Sequence, residues 1–132
     1  YGSQAICIMI DHKKINNEIK LYSYCGTKLE KISIGKHLKN LDALRCGEII
    51  LNSIDNDGMM KGYDLDLINK IKKKTSVPMT MLGGAGKLED ISQVIEKFGI
   101  IGCAAGSLFV FKGKYKAVLI NYPNIKDKQK LF

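Results

Sequence analysis

The sequence of 132 residues has no tryptophan, two prolines and a single arginine, Arg45. It has no apolar run near the ~20 residues that cross a bilayer, and charges interrupt its first twenty positions, where a secretory signal needs an unbroken apolar stretch. We therefore expect a soluble, cytoplasmic protein that does not enter a membrane. Because base recognition relies heavily on arginine, the single arginine also argues against specific binding of nucleic acid.

Metal-binding patterns are absent as well. The four cysteines form no Cys-x-x-Cys pair, and the two histidines have no ligand spacing. The sequence thus predicts no metal site and no cofactor. The cysteines are expected to be free thiols, mostly buried in apolar segments; they are Cys7, Cys25, Cys46 and Cys103.

What the sequence does contain is positive charge and enough apolar residues for one globular unit. Lysine and arginine number 21 against 13 acidic residues, a net charge of +8, and 45% of the residues are hydrophobic. This balance favours an anionic partner, which could be nucleic acid, an acidic protein or a small phosphorylated metabolite.

Short apolar segments alternate with amphipathic ones along the chain. The pattern predicts strands at 5–11, 19–24, 48–54, 77–82 and 100–105, and helices at 34–45, 65–74, 88–98 and 107–111. A turn at 25–28 makes the second strand part of a hairpin, Gly47 ends the first helix, and Asp64 caps the second. Beyond these elements, 116–122 is expected to form one or two more turns, and 124–132 a basic, solvated tail.

Strands separated by helices of about ten residues indicate parallel βαβ units, of which we count four. Four units fit either a small doubly wound sheet or half of a (β/α)8 barrel, since a complete barrel takes ~250 residues. Length alone leaves both architectures open.

Two glycine-rich turns follow the third and fourth strands of these units. They read GGAGK at 83–87 and AAGS at 104–107. Small residues there let backbone amides approach a bound anion, and a following helix start adds a partial positive charge. Each turn alone could be only a tight turn, but both at matching ends of adjacent strands predict a phosphate-binding cradle.

Acidic residues fall at the same predicted strand ends. Asp11 ends a buried strand, where a carboxylate beside apolar walls can act as an acid or base, although capping of the next loop is an equal alternative. Asp57 belongs to an Asp-Gly turn and would contact a ligand through its position in the loop. Neither histidine fits a catalytic role, and the absence of a Gly-x-Ser-x-Gly elbow and of a Walker loop disfavours a serine hydrolase and an ATPase.

Four segments together resemble one family closely. YGSQAICIMID, GEIILNSIDNDGMMKGYDLDLI, MLGGAGKLED and AAGSLFVF are similar to the second half of the cyclase subunit of imidazole glycerol phosphate synthase, the HisF family, and the similarity runs over 1–123. The resemblance implies an α/β fold of the (β/α)8 TIM-barrel type, of which this chain supplies strands five to eight. Because the sequence starts at Tyr1 and not at methionine, we expect a processed product or a piece of a longer chain.

The resemblance also implies a lyase chemistry and its residues. In that family a glutaminase subunit of the HisH type releases ammonia, which crosses the barrel and attacks a bis-phosphorylated ribulosyl-formimino aminoimidazole carboxamide nucleotide, giving imidazole glycerol phosphate for histidine biosynthesis. Asp11 matches one of two catalytic aspartates, the other lying in the amino-terminal half of the barrel. Glu48 matches a charged residue where ammonia enters. The phosphate-binding positions are Gly83, Gly84, Ala105, Gly106 and Ser107, and the substrate loop contains Asn52, Asp57 and Gly58.

Some residues depart from the pattern of the histidine enzymes. Asn52 and Leu82 replace side chains that usually carry hydroxyls, and 59–61 differs from a threonine-containing loop. These features are more similar to a branch found with genes for cell-surface sugars, including lipopolysaccharide, where a related pair supplies ammonia for amidation of an acetamido sugar. A noncatalytic half-barrel that only binds phosphate is a third alternative. We expect the chain alone to be inactive and to need the other half or to self-associate.

Overall fold

A computed structural model of the chain describes residues 1–99 and 101–132. Its main element is a six-stranded sheet in the order β3-β2-β1-β4-β5-β6. The strands are β1 (Cys7–Ile15), β2 (Glu18–Ser23), β3 (Lys28–Leu29), β4 (Glu48–Ser53), β5 (Met79–Leu82) and β6 (Gly102–Ala104). Strands β1, β4, β5 and β6 are parallel, while β2 and β3 add to the edge as antiparallel strands.

Helices connect the parallel strands as the sequence predicts. They are α1 (Ile34–Leu44), α2 (Leu65–Lys72), α3 (Leu88–Phe98) and the short α4 (Ser107–Val110), followed by α5 (Ile125–Gln129). Asp64 caps α2 as predicted, because its Oδ1 accepts a hydrogen bond of 2.9 Å from the amide of Leu67. Ser33 caps α1 in the same way through the amide of Lys36.

The core lies between one face of the sheet and helices α1 to α3. Ile49, Leu51 and Ile68 are fully buried there, with Leu38 and Val94 from the flanking helices. None of the described helices covers the opposite face of the parallel strands, and Met9 is 55% exposed on that side. Helices on one face of a parallel sheet, with a second face left open, are half of a (β/α)8 barrel. The predicted α/β fold of the TIM-barrel type is thus confirmed.

Several local predictions are wrong. A left-handed backbone at Arg45 (φ 53°) ends α1, so Gly47 does not end this helix as predicted. The segment predicted to form further turns contains β8 (Ala117–Val118), which pairs antiparallel with β7 (Phe111–Lys112). Cys7 and Cys25 are exposed, so only Cys46 and, in part, Cys103 fit the prediction of buried thiols.

Other differences concern the ends of elements. β1 extends to Ile15 and joins β2 through Asn16 and Asn17, both with positive φ, which is a turn the sequence analysis did not predict. The predicted tail 124–132 contains α5, and Leu131 packs against the core. Ile100, the first residue of the last predicted strand, lies outside the described residues. Within 1–99 and 101–132, no helix has the length and apolar character to span a membrane.

Candidate functional site

A row of residues crosses the four parallel strands near the carboxyl ends of β4, β5 and β6. In β1 the row passes through Asp11, the fifth of nine residues, so Asp11 does not end its strand as predicted. Asp11 pairs in register with Asn52, Asn52 with Leu82, and Leu82 with Ala104. Because residues in one row of a parallel sheet share a face, these side chains all project to the open side, opposite the core residues Ile10, Leu51 and Met81.

Asp11 and Asn52 are joined directly. The Nδ2 of Asn52 donates a hydrogen bond of 2.8 Å to Oδ1 of Asp11, and both side chains are half-buried. The Oδ1 of Asn52 is buried and has no hydrogen-bond partner among the described residues. The amide thereby fixes the orientation of the carboxylate and leaves Oδ2 of Asp11 for another group.

A small hollow lies at the other end of this row, between the two glycine-rich turns. We call it the glycine hollow; its walls are Asp57, Gly58, 82–85 and 104–107. The five residues matched to phosphate binding are all in its walls, as are two of the three residues of the expected substrate loop. A Cβ atom on Gly58 would lie 3.7 Å from Oγ of Ser107, so the loop after β4 reaches the start of α4.

Gly83 and Gly84 have a structural reason to be glycine. Both have positive φ, 91° and 119°, and an added Cβ would lie 2.7 Å from the carbonyl oxygen of Ser53 and 2.2 Å from that of Gly62, respectively. The amide of Gly62 also donates a hydrogen bond of 2.8 Å to the carbonyl of Gly84. These glycines let the loop after β4 pack directly on the turn after β5.

Gly106 differs from these two glycines. An added Cβ there meets no described atom within 4 Å, and its φ of -106° is accessible to any residue. The described chain therefore does not require glycine at this position. The absence of a side chain keeps the mouth of the glycine hollow open next to the amide of Ser107, which accommodates close approach of a ligand to the backbone.

Two residues that the sequence analysis did not select hold the hollow together. The hydroxyl of Tyr63 donates a hydrogen bond of 2.8 Å to the carbonyl of Ala104, and burial raises the pKa of this phenol. The carboxylate of Asp90 is buried and accepts hydrogen bonds from the amides of Gly86 (2.8 Å) and Lys87 (3.1 Å). Tyr63 lies within GEIILNSIDNDGMMKGYDLDLI, one of the segments that carry the family resemblance. Asp90 is the third residue of α3, and an acid at this position is typical of a helix cap.

The predicted residues do not all meet at one point. Asp11 lies on the same face and at the same end of the sheet as the glycine hollow, but it is two strands away from Leu82, a distance of roughly 10 Å. Glu48 lies four residues before Asn52 on β4, roughly 13 Å towards the amino ends of the strands. There it accepts a hydrogen bond from the hydroxyl of Thr80.

The arrangement defines a class of protein: a parallel α/β half-barrel with an acidic side chain and a glycine-lined hollow towards the carboxyl ends of its strands. Ligand sites of (β/α)8 barrels lie at this end of the strands. Residues 1–116 match the sequence profile of a family described as "Histidine biosynthesis protein". The chain belongs to this family.

Individual relatives agree with this assignment. The chain is 49% identical over 133 residues to a protein of Leptospira interrogans, covering 99% of this chain and 52% of the relative; its name gives imidazole glycerol phosphate synthase subunit HisF as a provisional assignment. It is 47% identical to a Vibrio vulnificus protein provisionally named as subunit hisF3 of that synthase, covering 98% of this chain and 50% of the relative.

A third relative has the same name without the provisional label. The subunit HisF of imidazole glycerol phosphate synthase from Natranaerobius thermophilus is 37% identical, over 92% of this chain and 49% of the relative. The chain thus spans about half the length of the curated relatives it matches.

Proposed function

We propose that this chain is the carboxyl-terminal half of an ammonia-dependent cyclase, a lyase that forms imidazole glycerol phosphate from the bis-phosphorylated nucleotide in histidine biosynthesis. The observation that carries the proposal is the row from Asp11 to Ala104, which ends at the glycine hollow. An elongated substrate with a terminal phosphate could lie along this row.

Each part of the row has a role in the proposed reaction. The glycine hollow binds a terminal phosphate through backbone amides; among the described residues, no acceptor takes the amide hydrogens of Gly84 or Ser107. With the phosphate held there, the reacting carbon and nitrogen atoms of the substrate lie about two strands away, next to Asp11. The Oδ2 of Asp11, not engaged by Asn52, then transfers protons as ammonia adds and the imidazole ring closes.

Ammonia reaches this site from the opposite end of the strands. Glu48 lies at that end on the same sheet face as Asn52, and we propose that it lines the entrance used by ammonia from a glutaminase subunit. The amino-terminal half of the barrel closes the open face and supplies the second acid. The whole reaction therefore requires three components, which are this half, its complementary half and the glutaminase.

A second candidate function is ammonia delivery for amidation of an acetamido sugar. It is favoured by the departures at Asn52 and Leu82, which lie side by side in the row that the cyclase would use. This function needs the ammonia path and the glutaminase surface, whereas the nucleotide site is dispensable.

Ring closure with ammonium salts distinguishes the two functions. The chain is assembled with its complementary half-barrel, and the nucleotide substrate is supplied with ammonium chloride in the absence of glutaminase. The cyclase predicts formation of imidazole glycerol phosphate. Absence of turnover by a correctly folded barrel would reject the cyclase, and stimulation of glutamine hydrolysis in an added glutaminase by that same inactive barrel would support ammonia delivery.

A further inference from the structure

A cavity of about 650 Å³ lies on the helix side of the sheet, away from the row that begins at Asp11. It is bounded by the hairpin of β2 and β3, by the segment leading into α1 and by one side of α2. Its volume is within the range of small-molecule sites. Its described walls come from neighbouring elements of this chain.

The floor of this cavity is apolar. Ile32 and Ile34 line it from the segment before and at the start of α1, and Ile19 lines it from β2. Leu67 and Ile71 of α2 complete the floor. All five side chains belong to the hydrophobic core or pack against it, so a flat apolar group can lie on a preformed surface.

Positive charge is in excess at the rim. Lys14 and Lys20 are neutralised by Asp64 and Glu18 at 3.2 and 2.5 Å, and Glu30 is 3.6 Å from Lys28. Among the described residues, Lys31, Lys70 and Lys74 of the cavity have no carboxylate within ion-pair distance, and the remaining acid of the lining, Asp66, has no cation within that distance.

A second cavity of about 590 Å³ lies next to the first and shares one lining residue with it, Lys74. Its walls are Gly35 and four lysines, three of which are additional to the first cavity: Lys36, Lys39 and Lys73. The described part of the chain places no carboxylate in ion-pair contact with these three side chains either. Eight lysines line the two cavities, and among the described residues six of them are in no ion pair, against one unpaired aspartate.

The position of Lys74 also favours binding of an anion. Its Nζ lies 3.7 Å from the place where a Cβ atom of Gly35 would be, in the first turn of α1. That turn contains no acidic residue, so its partial positive charge and the ammonium group are close together with nothing negative between them. A bound phosphate would remove this repulsion, and lysine is a common phosphate ligand.

We propose that the two cavities form one binding site for a phosphate monoester with an apolar body. The apolar body lies on the isoleucine and leucine floor, and the phosphate is held between Lys74 and the lysines of α1 and α2. This site is independent of the glycine hollow, which lies on the other face of the sheet, and it does not depend on the proposed cyclase activity.

1-Naphthyl phosphate is a suitable probe. Inorganic phosphate and 1-naphthol, which represent its two parts, serve as comparison ligands. Titrations are followed by amide NMR on the whole chain, together with its complementary half-barrel if the chain alone self-associates. We expect shifts at Lys31, Lys70 and Lys74, and binding roughly tenfold tighter than that of inorganic phosphate, because the ring is buried. Binding of inorganic phosphate in the glycine hollow would shift the amide signals of Gly84 and Ser107, so the spectra distinguish binding at the two sites.

Charge-reversal variants test the lysines. The pair Lys70→Glu and Lys74→Glu is expected to weaken naphthyl phosphate by roughly tenfold or more. The matched pair Lys114→Glu and Lys126→Glu changes the net charge equally on exposed residues elsewhere, and should leave the affinity within about twofold. The variant Ile32→Ala should weaken naphthyl phosphate and leave inorganic phosphate unaffected.

Three results would overturn the proposal. They are shifts confined to the glycine hollow, equal loss of affinity in both lysine pairs, or naphthyl phosphate binding no tighter than inorganic phosphate. If the last result came with tight binding of polyglutamate to the same lysines, the surface would instead be a docking site for an acidic protein.

Discussion

The hydroxyl of Tyr63 donates a hydrogen bond to the backbone carbonyl of Ala104, 2.8 Å away and 41 residues later in the sequence. Tyr63 follows the loop after β4, whereas Ala104 ends β6, so the bond spans the strand that lies between them. It fixes the distance between the loop that carries Asp57 and the turn that carries Ser107. The width of the glycine hollow depends on this contact.

Replacement of Tyr63 by phenylalanine should therefore lower both stability and anion binding. The ring still fills its place, but the half-buried carbonyl of Ala104 loses its donor, which costs about 1 kcal/mol in the free energy of unfolding. Urea denaturation measures this loss, and amide NMR at Ser107 reports phosphate binding. Tyr22→Phe is the matched control, because the hydroxyl of Tyr22 has no hydrogen-bond partner among the described residues. Equal stability of the two variants would contradict the prediction.

The Asp11→Asn variant tests proton transfer. If Asp11 acts as acid and base, the amide should reduce kcat of ring closure by roughly a hundredfold or more while KM changes little, because shape and hydrogen bonding to Asn52 are largely kept. Steady-state kinetics with ammonium salts on the assembled barrel measure both constants. Asp66→Asn, on the exposed start of α2, is the control. A rise in KM with unchanged kcat would assign Asp11 to substrate binding instead.

His12 makes stability depend on pH. Its imidazole is 2% exposed on the helix side of β1, and neither ring nitrogen has a partner among the described residues. Burial lowers the pKa of this imidazole below its ordinary value of 6.5, although the nearby carboxylates of Asp64, Asp55 and Asp11 act in the opposite direction. The unfolded chain therefore binds a proton at a higher pH than the folded one.

It follows that the free energy of unfolding is unaffected by His12 above pH 6.5 and falls as the pH drops from 6.5 towards the lowered pKa. The slope contributed by one proton is at most ~1.4 kcal/mol per pH unit. Urea denaturation between pH 7.5 and 5 should show a smaller loss in His12→Leu than in the parent chain. The control His37→Leu, on α1, should lose as much unfolding free energy over this pH range as the parent chain. If both variants showed the same smaller loss, groups other than His12 would account for the pH dependence.

Much of the fold was predictable because its signals are local. Helix α3 begins and ends at the predicted residues, since an apolar stripe runs from Leu88 to Phe98 and a glycine follows. The cap at Asp64 is equally local. The two glycine-rich turns could be assigned to one edge of the sheet because parallel strands align their carboxyl ends.

The remaining features depend on contacts between distant residues. The bond from Tyr63 to Ala104 requires the register of three strands, which the sequence does not specify, and the same holds for the close approach of Gly84 to Gly62. The pairing of β7 with β8 involves two residues in each strand, too few for a period to be detected. In the site, the sequence could indicate glycine for anion binding but could not reveal that Gly83 and Gly84 are needed for packing.

The open face of the sheet leads to the last prediction, that the chain without its complementary half self-associates. Met9 is 55% exposed there, and Ile50 and Leu82 project from the same face of the adjacent strands. Covering such a patch removes apolar area from water, which favours association. Sedimentation velocity should give a species larger than the 14.7 kDa monomer. Met9→Lys should shift the chain towards monomer, whereas Ile125→Lys, a similar change on α5, should not. A stable monomer that unfolds cooperatively would show that the half-barrel needs no partner on this face.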